Sequence, residues 1–368
     1  MQTFQERKNI LEETLVHHEI DLGIITSPAD IFYFTGFNSE PHERFMALIL
    51  NIKTNDTFLF VPALDEEAAK QKSNIEKIIP ISDEESPFEV VKNTIGNVGS
   101  AIGVEGKSFS YARYIELIEA FHHPVVLDIQ PFVSQQRLHK SPDEIASIKL
   151  AIEIIEKVME EGIKKIRVGM TEQEIVAELE LLMRKFGADG TSFDTIVLVG
   201  ENAALPHGHP GSRVVCEGDF VLIDMGIIKN GYCSDITRTF IVGNPTEQQQ
   251  EVYDIVKEAT IAGLQSVQAD LPLKTFDLAS RKIIEENGYG IYFNNRVGHG
   301  LGIEVHEEPS IHSENDSLAR KGMVFTIEPG IYIPGYGGVR IEDNVYINEN
   351  GEPEILTSFT RELIIIQP

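Results

Sequence analysis

The spacing of apolar positions changes several times along these 368 residues. In "FQERKNILEETLVHHEI", Phe4, Ile10, Leu11, Leu15 and Val16 fall at helical spacing, which predicts a helix. "LGIITSPADIFYFTGF", "FMALILNI" and "DTFLFVPA" follow, rich in β-branched and aromatic residues, and read as strands. "AIGVEG" and "VVLDI" read as later strands of the same unit, with "YARYIELIEAF" a helix between them. These segments predict a small α/β domain over residues 1–132.

A helix start comes next. In "SPDE", Ser141 can cap, Pro142 suits the first helical position and Glu144 completes a capping box, so a helix is predicted to about Ile166. Thr171 in "TEQE" repeats the signature for a helix ending before Gly187, and "FDTIVLVG" and "DFVLIDMGIIKNGYCSDITRTFIVG" then read as strands. The order recurs: Thr246 with Gln249 opens a third helix, a fourth covers Leu273 to Asn287 before Gly288, and strand-rich sequence fills the remainder. Two blocks of helix, helix, strands predict an α+β second domain, residues 133–368, built as two similar halves around a central antiparallel sheet.

Four carboxylates disturb this pattern. Asp224 lies inside "FVLIDMG", Asp235 in "GYCSDITRTFIVG" after a turn marked by "KNG", Glu328 in "MVFTIEPGIYI" and Glu342 in "GVRIEDNVYI". An isolated ionised carboxylate in apolar surroundings costs several kcal/mol even after relaxation, about the size of a domain's whole margin of stability. One such acid is ordinarily paired with an arginine or caps a helix. Four need more cations than Arg238 and Arg340 can supply, whereas divalent ions neutralise several carboxylates at once.

A histidine extends the set. "GHGLGIEVHEEP" carries His299 and His306 among glycines, and Pro309 excludes the helical pair of histidines found in zinc peptidases. The resulting ligand set is Asp224, Asp235, His299, Glu328 and Glu342. Oxygen-rich donors favour harder ions, Mn²⁺ first, with Co²⁺ or Zn²⁺ as alternatives. Five protein ligands are too many for one ion with an open position and suit two ions with bridging carboxylates.

Charge narrows the choice of partners. With 31 basic and 58 acidic side chains the formal net charge is −27, which argues against nucleic acid and anionic membranes. No stretch approaches the ~20 apolar residues of a membrane span, and the polar opening "MQTFQERKNI" does not read as a signal peptide. Cys216 and Cys233 are too few for a disulfide framework, and the expected location is cytoplasmic.

The motifs "IDMG…GYCSDITRTF", "GHGLGIEVHEEP", "TIEPGIYIPG" and "GVRIEDN", in this order, resemble the proline-specific metallopeptidases of the pita-bread fold: prolidase and aminopeptidase P, with creatinase and methionine aminopeptidase as cousins. The likeness covers Ser141 to the C-terminus, and residues 1–132 are similar to the creatinase-type N-terminal domain. It implies a dinuclear centre bridged by Asp235 and Glu342, with Asp224 completing one ion and His299 with Glu328 the other. It also places His207 of "LPHGHP" beside the substrate and His306 where it steadies the oxyanion, and it implies a homodimer.

Chemistry assigns two further roles. Glu328 can bind metal through one oxygen and shuttle a proton on the other. Arg340 stands two residues before Glu342, on the same face of an extended strand, and reads as an electrostatic orienter. His209 reads as a solvated neighbour of His207, and His42 and Arg44 lie in a polar loop of the first domain.

The expected activity is hydrolysis of the bond preceding proline in Xaa-Pro dipeptides, by a hydroxide bridging two ions, with an Xaa-Pro aminopeptidase as the alternative. One departure stands out: relatives carry a second histidine four residues before the metal histidine, and Asn295 occupies that place here. An amide cannot take a proton near neutrality. A non-catalytic peptide-binding relative of the same fold is the competing class, and such relatives tend to lose ligands that this chain keeps.

Overall fold

The computed structural model describes residues 3–96 and 98–368. Contacts divide the chain into two units, Met1–Arg137 and Leu138–Pro368.

The first unit runs α1 (Phe4–His17), β1 (Leu22–Ile25), α2 (Pro28–Thr35), β2 (Ala47–Asn51), β3 (Asp56–Pro62), α3 (Glu66–Lys72), β4 (Lys77–Ile81), α4 (Pro87–Ile95), β5 (Ala101–Val104), α5 (Tyr111–Ala120), β6 (Val125–Asp128) and α6 (Gln130–Arg137). Its sheet has the order β4-β3-β2-β1-β5-β6, with β1, β5 and β6 parallel to one another and β2 antiparallel to both β1 and β3. Leu22, Ile24, Phe60, Phe88, Val91, Ile102 and Leu117 belong to its core. The position of the expected boundary, Phe132, falls inside α6.

One predicted strand is mostly a helix. Only Leu22–Ile25 of "LGIITSPADIFYFTGF" is extended; Ser27 then accepts a hydrogen bond from the Asp30 backbone N–H, Pro28 takes the first turn, and Gly36 ends the helix with φ 74°. Local capping outweighs the strand preference of Ile31, Phe32, Tyr33 and Phe34.

In the second unit the predicted helix starts are used as read. Ser141 with Glu144, Thr171 with Glu174 and Thr246 with Gln249 each form a complete capping box, opening α7 (Pro142–Ile163), α8 (Glu172–Lys185) and, after six strands, α9 (Glu247–Ser266). Each such cap stabilises by about 1 kcal/mol. The intervening strands are β7 (Gly190–Thr191), β8 (Ile196–Val199), β9 (Phe220–Met225), β10 (Ile227–Lys229), β11 (Tyr232–Cys233) and β12 (Ile236–Val242). The "KNG" turn holds Asn230 at φ 53° and Gly231 at φ 80°, as a tight hairpin requires. Then come α10 (Lys274–Glu286), β13 (Gly298–Gly300), β14 (Glu307–Ile311), β15 (Val324–Ile327), β16 (Gly330–Ile333), β17 (Gly337–Arg340), β18 (Asp343–Ile347), β19 (Pro353–Ile355) and β20 (Ile365–Ile366). Among the described residues no helix is long and apolar enough to cross a membrane.

The larger sheets have the orders β20-β12-β9-β8 and β14-β13-β15-β18-β19. Strand alternation explains why "FVLIDM" is apolar at nearly every position. Val221, Ile223 and Met225 pack into a core with α7 and α8, whereas Phe220 and Leu222 pack into a second core with α9 and α10. A sheet covered on both faces leaves no solvent side for polar residues. Asp224 shares the face of Phe220 and Leu222, which points it toward the second core.

A buried acid pair in the first unit yields a test. Glu105, fully buried, accepts from the Ser27 backbone N–H (2.8 Å) and the Ser108 hydroxyl (3.0 Å), beside Asp30, which is held by Arg137 at 2.7 Å. Burial, and then the Asp30 carboxyl, hold Glu105 well above the usual glutamate range. The fold therefore keeps a proton that the unfolded chain releases, so its stability falls as pH climbs past about 4.3 toward the folded-state value. Glu105→Gln should flatten that decline in thermal melts followed between about pH 4.5 and 8. Parallel curves for the two proteins would show that Glu105 is charged in the fold.

Candidate metal centre

Strand register sets Asp224. Asp224 on β9 pairs with Thr237 on β12, and partners across an antiparallel ladder share a face. Thr237 therefore stands beside Asp224 and donates its hydroxyl to Glu342 Oε2 at 2.7 Å. Arg238, one residue on, points to the opposite face. It meets Asp343 at 2.8 Å and donates to the carbonyls of Thr237, Glu342, Phe359 and Thr360. Of the two arginines considered as counter-ions, Arg238 thus fixes the backbone of Glu342 and leaves the acids uncompensated.

Glycine geometry sets the histidine. A Cβ on Gly298 would lie 1.9 Å from the Thr326 carbonyl oxygen, and one on Gly300 would lie 2.1 Å from that of Glu308. Only glycine permits the close approach of β13 to its neighbours, and His299 sits between the two. Asp277, fully buried on α10, steadies the approach to this strand by accepting from the Val297 backbone N–H at 3.1 Å. His299 Nδ1 lies 3.2 Å from the Gly300 carbonyl, so with Nδ1 donating there Nε2 is the nitrogen turned to the acids, facing Glu328 Oε1 (3.3 Å) and Asp235 Oδ2 (3.7 Å).

The structure brings Asp235, His299 and Glu342 into one group, with a ligand atom of each within 4.8 Å of the others. Glu328 joins through His299. Asp224 stands apart from this group: its Oδ2 is hydrogen-bonded to Arg340, which also contacts Tyr332 Oη at 3.0 Å and Thr237 Oγ1 at 3.1 Å. All five line one cavity of about 460 Å³ together with His207, Asn295, His306 and Arg340. His209 does not line it.

The donors fit a divalent cation. Asp224 Oδ1, Asp235 Oδ1 and Glu342 Oε1 are buried with no hydrogen-bond partner among the described residues, an arrangement that costs free energy unless something else meets those oxygens. Desolvation first, and then repulsion from the neighbouring carboxylates, push Asp235 and Glu342 well above the usual carboxyl range. Asp224 is also raised by desolvation, with Arg340 opposing it. At Glu328 desolvation is outweighed by the His299 hydrogen bond and the nearby positive groups, and its pKa is lowered. A bound cation would invert this balance for the whole cluster.

His306 packs edge-on against His299, with ring centroids 4.0 Å apart. Partial desolvation, then His299 and Arg296, lower its pKa to about 4, so its neutral ring is the form present at the cavity. Asn295 turns its amide N–H to the Arg296 carbonyl at 3.0 Å, leaving a buried oxygen with no partner among the described residues. Tyr332, Phe193, Ile196 and Val305 also line the cavity and were not singled out in the sequence. Tyr332 lies four residues after Glu328 in "EPGIYI", and strand alternation from Arg340 could have suggested it; the apolar lining carries no signature.

Comparison with known proteins agrees with this architecture. Residues 146–349 match the model of metallopeptidase family M24, and residues 7–139 match the creatinase/prolidase N-terminal domain. An uncharacterized peptidase of Staphylococcus aureus is 41% identical over 352 residues, covering 96% of this chain and 98% of its own. The X-Pro aminopeptidase from Thermotoga maritima is similar at 37% identity and a TM-score of 0.86, over 96% of this chain and 99% of that one. The Xaa-Pro dipeptidase from Bacillus anthracis is similar at 34% identity and a TM-score of 0.90, over 99% and 100%. The pita-bread fold and the creatinase-type first domain expected from the sequence are therefore both present, and the chain belongs to metallopeptidase family M24.

Proposed function

We propose that this protein hydrolyses the peptide bond preceding proline, with Xaa-Pro dipeptides as its best substrates. The observation that carries the proposal is the set of buried, unpartnered carboxylate oxygens at Asp224, Asp235 and Glu342 facing one cavity. With His299 and Glu328 they would hold two divalent ions, Mn²⁺ foremost, Asp235 and Glu342 serving both. Bound there, the ions would acidify a water and polarise the scissile carbonyl.

The chain's own groups do the rest. Phe193, Ile196 and Val305 offer an apolar wall for a pyrrolidine ring. His207 and His306 flank the bound peptide, and neutral His306 donates to the oxygen that gains charge as water adds to the carbonyl carbon. Glu328 accepts the water's proton on Oε2, 4.0 Å from Arg340 Nε, and returns it to the proline nitrogen as the C–N bond breaks. Arg340, fixed by Asp224, Thr237 and Tyr332, keeps Glu328 oriented. Dipeptides are favoured by the exposed Arg296, whose charge meets a carboxylate directly after proline; the X-Pro aminopeptidase likeness makes longer peptides the alternative. With two cysteines in 368 residues, Cys216 exposed and Cys233 buried, we place the protein in the cytoplasm.

Chelation should abolish cleavage of Xaa-Pro dipeptides, and Mn²⁺ or Co²⁺ should restore it. Asp235→Asn should lose both metal and activity while folding normally; full occupancy and rate in that variant would mean the shared ligand is wrongly assigned. Arg296→Ala should raise KM for dipeptides about tenfold, the size of one charge-assisted hydrogen bond, and leave longer Xaa-Pro peptides nearly unaffected. Equal losses on both substrates would favour the aminopeptidase.

A further inference from the structure

Glu172 is the first residue of α8 and is fully buried. It is not needed as a cap, because Thr171 and Glu174 already complete the capping box. Its side chain reaches away from the helix instead. One oxygen accepts from the Val199 backbone N–H at 2.8 Å and the Asn202 amide at 3.0 Å; the other accepts from the Gly211 backbone N–H at 2.7 Å. Val199 ends β8 and Gly211 lies twelve residues later, so one carboxylate ties both ends of the segment that carries Pro206 and His207 into the cavity.

The rest of that segment is equally constrained. A Cβ on Gly338 would lie 2.2 Å from the Ala203 carbonyl oxygen, so the segment rests backbone to backbone on β17, the strand that ends at Arg340. The Glu172 backbone N–H adds a bond to the Arg213 carbonyl at 3.0 Å, just past the tied end. Burying a carboxylate is costly unless its lone pairs are met, and here the donors that meet them belong to the segment.

We propose that Glu172 is a positioning residue for the hydrolysis: it clamps segment 200–211 so that His207 is held at the substrate. This rests on the placement of His207 beside the substrate proposed above. An exposed histidine on an untied twelve-residue loop would spend much of its time elsewhere, whereas a loop stapled at both ends presents it in one place.

The test uses the metal-loaded full chain with Glu172→Gln, which keeps the size of the side chain but turns an amide N–H toward a backbone N–H. Amide hydrogen exchange across 200–211 should quicken about tenfold or more relative to other loops, with metal content unchanged. The kcat/KM for Xaa-Pro dipeptides should fall about tenfold, and Glu172→Gln should add nothing further in a His207→Ala background, because both changes remove one function. Asn202→Ala, which deletes one of the three donors, should move exchange and activity the same way by less, and it covers the case in which Glu172→Gln does not fold. Unchanged exchange, or losses that multiply in the double variant, would overturn the clamp as the means of placing His207. Faster exchange with full activity in Glu172→Gln would overturn Glu172 as a positioning residue, whereas full activity in His207→Ala alone would overturn the substrate role of His207, so the two failures are distinguishable.

Discussion

Negative charge in a confined space is the constraint around which the second unit is organised. Asp224, Asp235, Glu328 and Glu342 face one cavity, and the cations around them do not match their number. Arg340 compensates Asp224, His299 compensates part of Glu328, and Asp235 and Glu342 are left with repulsion from their neighbours. Without further positive charge such a cluster would be expected to take up protons or move apart. The fold instead invests in holding it together. Thr237 donates to Glu342, Arg238 fixes the Glu342 backbone, and glycines on both sides of His299 let β14 and β15 close on its strand.

The two halves of the domain contribute differently to this arrangement. The first half supplies Asp224 from β9, its facing decided by register, and Asp235 from the connection just before β12. The second supplies His299, Glu328 and Glu342 from β13 and from the turns next to β15 and β17. Capping boxes start three of the four long helices, so each helix pair packs on its sheet with defined ends, and the strands they cover inherit a fixed position. Precision at the site is thus built on ordinary helix chemistry far from it.

Much of this could be read from the chain. Period and caps located α7, α8, α9 and α10, because those signals are local and strong. The acids were conspicuous because a carboxylate inside an apolar strand has no bland explanation when four occur together. Other features depend on contacts that no local pattern encodes. "SPADIFYFT" looked extended by composition, yet Ser27, Pro28 and Gly36 make it a helix. Arg238 looked available to the acids, and strand alternation turned it away to Asp343. Phe193 and Val305 reach the cavity through tertiary packing alone, and Glu172 resembled one more acidic residue in a helix's first turn until its partners, twenty-seven to thirty-nine residues away, were visible.

The central claim is that these carboxylates are tolerated because they share divalent cations. Diffraction from crystals grown with Mn²⁺, measured at the manganese absorption edge, tests it most directly. Anomalous peaks should lie between Asp235, His299 and Glu342, with Asp224 and Glu328 oxygens drawn into contact. Crystals that take up no manganese there, with each acid turned to its own guanidinium or ammonium partner, would contradict it.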